Sequence, residues 1–399
     1  MKKMVHPDEA LEMVLAAAKP MAPARVPIEN AAGLVLAEEV VADRPYPPFD
    51  RVMMDGYAVR LADAGKSVQV GGEVRAGGAG TVEVASGRAV RVMTGAPCPP
   101  GTETVVPVEE VEESGAEAML PGGLEPGKHI APMGSECGQG EVVARKGWEI
   151  TPLVVANLAA YGYTGIGVIS PPVCALVTTG DEIVQWGSAP AAHQIRNANA
   201  PMLAVQLRAA GVRKILRGHA GDSMGQLRAM MAHTGQADVV VISGGVSMGA
   251  YDMVPDALRG HGVEVHFHKV SQKPGKPLLF GSKDGRLYFG LPGNPLACHV
   301  CLHRYVVPAV RKMMGRPERA CAVRGRLAAP LAKNGARTLF QLCSTEWDGR
   351  QWTVTPLAGR GSADIHAAAR ANSCERLEPG APQLACGAEV EAQMTAPAL

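Results

Sequence analysis

The chain has 399 residues, 47% of them hydrophobic and 19% charged, a balance that excludes wholesale disorder and leaves room for several buried cores. Its formal net charge of +1 excludes a global basic field, so neither nucleic acid nor an anionic membrane is an expected partner, and any anion must be held by a local site. No uninterrupted apolar run of about twenty residues occurs, which argues against a transmembrane helix; the nearest, 152–169, is broken by Asn157, Gly162, Thr164 and Gly165.

Lys2 and Lys3 precede an apolar stretch in the manner of a signal peptide, but Asp8, Glu9 and Glu12 interrupt it. Leu11, Val14 and Leu15 recur at helical spacing, which predicts an amphipathic helix opening near Asp8. The nine scattered cysteines, an odd number, are expected as reduced thiols in the cytoplasm. Residues 1–44, together with 145–170 and its helical stretch 152–161, are predicted to form an N-terminal and linker helical domain. Residues 45–144 are rich in Gly, Val and Glu with short alternating runs such as Arg88–Val92, and predict a β-rich domain.

From 171 to 317 the character changes. Strand patterns at 172–178, 237–243 and 286–289 alternate with helical patterns at 201–210, 224–233 and 295–314. That alternation predicts an α/β domain with a mostly parallel sheet covered on both faces, whose ligands sit at the carboxyl ends of the strands. Residues 318–399 return to short β segments, at 351–355 and 387–393, and predict a C-terminal β-rich domain. The fold class expected is therefore α/β plus β-rich domains in one multidomain chain.

The loops after those strands carry the chemistry. Behind 237–243 comes Gly244-Gly245-Val246-Ser247-Met248-Gly249-Ala250-Tyr251-Asp252. Glycines let backbone N–H groups close on an anion, and Asp252 sets a carboxylate beside them. Next, Lys269, Lys273 and Lys276 fall within eight residues whose Pro274 and Pro277 forbid a regular helix, so the cations belong to a shaped loop suited to phosphate or another oxyanion. In Gly290-Leu291-Pro292-Gly293-Asn294-Pro295, Pro295 fits a first helical turn and Asn294 its N-cap. Asp181 and Glu182 after the first strand, and Asp222 after another turn, read equally as ligands of a hard cation such as Mg2+ or as solvated turn acids. Cys298, His299, Cys301 and His303 have no matching second ligand pair, and core packing outweighs a metal reading. His266 and His268 alternate on a strand and read as structural.

Taken together, the ordered strings PPFDRVMMDGYA, MTGAPCPPGTETVVPVE, TTGDE, QIRNANAPML, ISGGVSMGAYD, KVSQKPGKP, GLPGNP and GRGSADI resemble the MoeA family of molybdopterin molybdenumtransferases, which includes the E domain of animal gephyrin. The resemblance covers nearly the whole chain. It implies an elongated four-part molecule with a central molybdopterin-binding α/β domain, and a homodimer whose cleft is shared between subunits. It implies insertion of molybdate into adenylylated molybdopterin with Mg2+-assisted release of AMP, and the molybdopterin adenylyltransferase as a further partner. Carried over residue by residue, Lys269, Lys273 and Lys276 bind molybdate or phosphate, and Glu182, Asp222 and Asp252 hold Mg2+ or contact the nucleotide-linked ligand. Asp55 and Thr94 close the cleft from the other subunit. Gly244, Gly245, Ser247 and Gly249 form the cradle, and Pro292, Gly293, Asn294 and Pro295 shape the last loop.

Two segments depart from the family pattern: Arg51-Val52-Met53-Met54, where a Ser is frequent, and Ala131-Pro132-Met133-Gly134-Ser135-Glu136, where a pair of arginines is frequent. The rival readings are adenylylation of molybdopterin, opposed by the extra domains and the lysine pair; a scaffold module, opposed by the full acidic and lysine set; and a tungstate-handling enzyme, which lysines and N–H groups do not separate from a molybdate one.

Overall fold

A computed structural model describes residues 4–78, 81–246, 253–318 and 321–395. The chain divides into two units: Met1–Arg25, Gly33–Ala37 and Gly167–Leu399 form the first, and Val26–Ala32 with Glu38–Ile166 the second. No helix among the described residues is long and apolar enough to cross a membrane. All nine cysteines are free.

The centre of the first unit is the predicted α/β sheet. Val239–Ser243 is buried along its whole length, as a strand covered on both faces must be. The sheet has six strands in the order Ile215–Ala220, Cys174–Thr179, Val239–Ser243, Arg286–Leu291, Leu279–Lys283 and Glu264–His268. The first four run parallel, and Leu279–Lys283 runs antiparallel to both of its neighbours, Arg286–Leu291 and Glu264–His268. On one face Ala175, Val177, Val240 and Ile242 meet Leu227 and Met231 of helix Met224–His233 and Leu258 of helix Val254–Gly260. On the other, helix Asn199–Ala209 lies against Cys174–Thr179 and against helix Pro295–Cys301. From its second position in the sheet the chain goes first to one neighbour and then crosses to the other. The crevice beyond Thr179 and Ser243 is thus a topological switch point, where open α/β sheets bind ligands.

The predicted helix over 295–314 is interrupted. Pro295–Cys301 is α-helical, Leu302–Val306 is a π turn, and Val307–Met313 resumes the α-helix. Pro308 has no N–H to donate and its ring crowds the carbonyl four residues back, and a widened turn just before it relieves both.

Beyond the sheet, Ala322–Leu327, Thr338–Trp347, Trp352–Pro356, Ser373–Leu377 and Glu389–Met394 close on themselves as a small barrel around Leu327, Cys343, Val354, Leu377 and Ala392. Asp8, on helix Pro7–Ala17, ties three parts of this unit together. Its carboxylate accepts 2.7 Å bonds from Nη1 and Nη2 of Arg376 and a 2.6 Å bond from Nη2 of Arg304. Those guanidinium groups, Arg376 foremost, hold it below the ordinary carboxylate value.

The second unit is built on another six-stranded sheet, in which Gly56–Val59 lies between Thr104–Pro107 and Arg88–Val92. Tyr57 and Val59 point into one core and Ala58 into another, so both faces of this strand are covered. A Cβ at Gly56 would run into the Val106 carbonyl, which accounts for the glycine of the DGYA string. Helix Pro152–Ala160 belongs to this unit and packs on the turn Ile28–Asn30.

Candidate functional site

The crevice at the strand ends is a cavity of about 590 Å3. Glu182, Asp222, Gly244, Gly245, Pro292, Gly293, Asn294 and Pro295 all line it. Gly244 has φ +101°, and a Cβ there would lie 2.7 Å from Thr179 Oγ1. Only glycine allows the cradle to press this closely on the neighbouring strand end. Asp181 and Asp222 cross-brace two loops: Asp181 N–H donates to Asp222 Oδ2 at 3.3 Å, and Asp222 N–H donates to Asp181 Oδ1 at 3.2 Å. That leaves Asp222 Oδ1 and the exposed Glu182 carboxylate as free oxygens on one wall. Mg2+ takes one or two protein carboxylates and fills its remaining positions with water and phosphate, a demand these residues fit. No set of three His, Cys, Asp or Glu among the described residues is grouped to hold a metal. Ser247, Gly249 and Asp252 lie outside the described residues.

Several residues of this cavity were not singled out by sequence reasoning. Asn197 is buried; its Nδ2 donates to Thr178 Oγ1 at 2.8 Å and its Oδ1 accepts from Ala200 N–H at 3.0 Å, so it fastens the strand to the start of the next helix. Asn199 Nδ2 reaches both Ser243 Oγ at 2.9 Å and the Gly293 carbonyl at 2.7 Å, joining three loops. Asn199 Oδ1 and Thr179 Oγ1 are buried with no partner. Orphaned polar atoms beside a glycine cradle are what a polar ligand would satisfy. The available signal was the Asn-x-Asn spacing just before a helix, which reads equally as capping. Asn294 does occupy the N-cap, but its side chain makes no capping bond; Nδ2 donates instead to Ser362 Oγ at 2.7 Å.

The lysines are placed differently. Lys273 and Lys276 line a second cavity, of about 570 Å3, together with Arg337, Phe340, Ser362 and Pro277, and Pro277 lines both cavities. Their loop is fixed from beneath. Gln272 is fully buried, donates to the Pro274 carbonyl at 3.0 Å and bonds the Tyr305 hydroxyl, while its own carbonyl accepts from Arg337 Nη1 at 3.2 Å. A Cβ at Gly275, φ +94°, would lie 2.7 Å from Gln272 Nε2. Lys269 lines neither cavity; its N–H donates to the Leu278 carbonyl and its φ of +92° is a left-handed conformation rare for lysine. His268 Nε2 meets the Val246 carbonyl at 2.8 Å and His266 Nε2 meets Ser282 Oγ at 2.7 Å, both structural contacts.

Asp55 and Thr94 come together within the second unit. The Thr94 N–H and hydroxyl both donate to Asp55 Oδ1, each at 2.7 Å. The backbone bond above all, with the hydroxyl after it, holds this exposed carboxyl below its ordinary value.

Comparison with known proteins agrees along nearly the whole length. Residues 5–162 match the model of the MoeA N-terminal region (domain I and II), and residues 175–312 that of a probable molybdopterin binding domain. Molybdopterin molybdenumtransferase 2 of Mycobacterium tuberculosis is 36% identical over 335 residues, covering 79% of this chain and 82% of that protein. The chain belongs to the MoeA family. Among other members, the molybdopterin molybdenumtransferase of Bacillus subtilis is 30% identical over 380 residues, covering 92% of this chain and 88% of its own length. The crystal structure of the MoeA protein of Pyrococcus horikosii superposes with a TM-score of 0.82 at 29% identity, covering 98% of this chain and 99% of that one. MoeA members named in this way are transferases of molybdenum-cofactor biosynthesis, and their multidomain arrangement of α/β and β-rich parts is the one described above.

Proposed function

We propose that the chain inserts molybdate into adenylylated molybdopterin and releases AMP. The observation that carries this reading is the pair of adjoining cavities: one offers amide groups, glycine backbone and two carboxylates at a sheet's switch point, the other two lysines on a braced loop and Arg337 from the barrel. The first has the lining for a pyrophosphate-linked pterin nucleotide, and the second the charge for a compact oxyanion dianion. Pro277, common to both, puts the two reactants side by side.

In this reading Lys273, Lys276 and Arg337 neutralise molybdate as it approaches the dithiolene. Gly244 and Gly245 turn backbone toward the phosphates, and Asn199 and Thr179 supply the polar atoms that now lack partners. Glu182 and Asp222, with Asp252, would hold Mg2+, which when bound supplies charge neutralisation at the phosphoanhydride being cleaved. Lys269 sets the entry of the lysine loop. Asp55, kept ionised by Thr94, would act from the second subunit of a cytoplasmic homodimer, with the adenylyltransferase as the source of substrate. Around this site the chain reads as four parts, 1–44 with 145–170, then 45–144, 171–317 and 318–399.

The test is AMP release from adenylylated molybdopterin with Mg2+, with and without molybdate, on the native protein and on Lys273→Ala and Asp222→Ala. Molybdate-dependent release abolished in both variants is the expected result. Release that ignores molybdate, or survives both substitutions, would overturn the proposal.

A further inference from the structure

On the far side of the helix that follows the Gly290–Pro295 loop lies a second concentration of metal-type ligands, apart from both cavities. Cys298 and Cys301 are not free for it. Cys298 Sγ–H donates to the Pro292 carbonyl at 2.7 Å, and Cys301 Sγ sits against Gln272 Nε2 at 3.6 Å, each thiol fully buried. The histidines between and beyond them are another matter. His299 and His303 stand four residues apart on one helical face, the spacing at which two imidazoles can chelate one ion. Their ring centroids are 4.7 Å apart. Two imidazoles bound to one ion at the usual ~2.0–2.1 Å Zn–N length place their centroids roughly 4.5–5.2 Å apart as the N–metal–N angle opens from about 90° to about 110°, a range that includes the separation of these rings.

Both Nε2 atoms are buried and have no hydrogen-bond partner. Nδ1 of His299 meets the side-chain amide of Gln206, on the helix packed alongside, and Gln206 Oε1 is itself buried without a partner. Turning that amide by half a rotation places its oxygen on Nδ1–H. That gives Oε1 a donor, moves the unpartnered position to the amide nitrogen, and selects the tautomer whose Nε2 lone pair is free, the arrangement by which outer partners commonly orient metal-ligating histidines. Burial pushes His299 down to about 4 and His303 down to about 3, so both rings are neutral near pH 7, as a metal ligand must be. A cavity of about 30 Å3 borders His303; Arg304 lines it as well, with its Nη2 donating to Asp8 Oδ1.

We propose that His299 and His303 form a binding site for one borderline transition-metal ion, such as Ni2+, Cu2+, Co2+ or Zn2+, with Gln206 as the positioning residue and water in the remaining positions. Neutral imidazoles favour these ions over Mg2+, so the site is chemically distinct from the acidic wall formed by Glu182 and Asp222.

The experiment uses the full chain, stripped with a chelator and kept in millimolar Mg2+ to occupy carboxylate sites. It is titrated with Ni2+ against a chromogenic competitor, and with Cu2+ followed by electron paramagnetic resonance. One equivalent of Ni2+ is expected, with nitrogen hyperfine structure on the copper signal. His299→Leu and His303→Leu, which keep the helix face filled, should each weaken Ni2+ binding at least tenfold, and Gln206→Leu should weaken it by a smaller factor. Absence of stoichiometric Ni2+ and Cu2+ binding to the native chain would overturn the proposal. So would unchanged binding, or unchanged nitrogen hyperfine structure, in a folded double-leucine variant.

Discussion

The cavity at the strand ends and the cavity beside the lysine loop share Pro277 but are made of opposite materials. The first is defined by backbone. Gly244 and Gly245 hold left-handed conformations against Thr179, and Asn197 and Asn199 bolt three loops together with side-chain amides. The second is defined by charge, with Lys273 and Lys276 exposed on a loop whose rigidity comes from the buried Gln272 beneath it. Tolerance to substitution should therefore differ between the two. Altering the first cavity's residues disturbs the fold, because they are also its fasteners, whereas removing the second cavity's lysines removes charge from an intact scaffold.

The largest expected effect comes from the charged side. Lys273→Ala combined with Lys276→Ala should raise the molybdate concentration for half-maximal AMP release by about 10²–10³-fold, the cost typical of losing charged donors from a preorganised site. The melting temperature should move by less than about 2 °C, since exposed side chains seldom carry stability. An unfolded double variant, or one with normal molybdate response, would erase the contrast between the cavities.

Gly244→Ala tests the other side. The added methyl would meet Thr179 Oγ1 at 2.7 Å from a backbone at φ +101°. A loss of roughly 1–3 kcal/mol in unfolding free energy is expected, together with weakened AMP binding measured by calorimetry. A variant of native stability would show that the cradle relaxes and that its glycines serve the ligand alone.

Asn197→Ala should cost somewhat less, about 1–2 kcal/mol, because it strands the Thr178 hydroxyl and the Ala200 N–H, although the hydroxyl keeps His219 Nδ1 at 3.1 Å as an alternative partner. Chemical denaturation reads this directly. A cost near zero would mean that water replaces the amide.

How much of this was legible beforehand follows the range of the interactions. Helix Met224–His233 begins where its sequence says it should, because Ser223 caps its N-terminus locally, its Oγ accepting from Gln226 N–H at 3.3 Å. Strand Arg88–Val92 was equally clear from alternation. The break at Leu302–Val306 was missed because the apolar period runs through it, although Pro308 was the available warning. In the site, Glu182, Asp222 and the two glycines stand together because loops at one sheet edge must converge. Arg337 was not legible, and Ser362 stood only inside the GRGSADI string, with no role assigned to it. Each reaches the site from a different strand connection of the barrel, and contacts such as Asn294–Ser362, 68 residues apart, leave no local pattern. Lys269 shows the reverse failure: proximity in sequence to Lys273 did not place it in the same cavity.

The smallest expected effect concerns pH, and it should fall on one side of the comparison only. Glu375 lies on the barrel strand Ser373–Leu377, opposite Gln341, whose own strand lines the lysine-side cavity. It is 7% exposed, its Oε2 lacks a partner, and burial first, then the charge of Glu391, raises its carboxyl to about 7. A carboxyl raised in the folded state favours folding when protonated. Its contribution is therefore complete below the unfolded value near 4.5 and is lost as pH rises through about 7. Glu375→Gln keeps the neutral shape at every pH. The variant should match the native chain at pH 4.5 and exceed it at pH 8 by roughly 1–2 kcal/mol, after allowance for residual solvent access. Among the described residues no buried carboxyl lines the strand-end cavity, where Glu182 is exposed and Asp222 half-buried, so this pH-dependent loss should fall on the barrel. If native chain and variant lose stability in parallel from pH 5 to 8, the titrating group lies elsewhere, and the barrel wall is no more sensitive to pH than the sheet edge it adjoins.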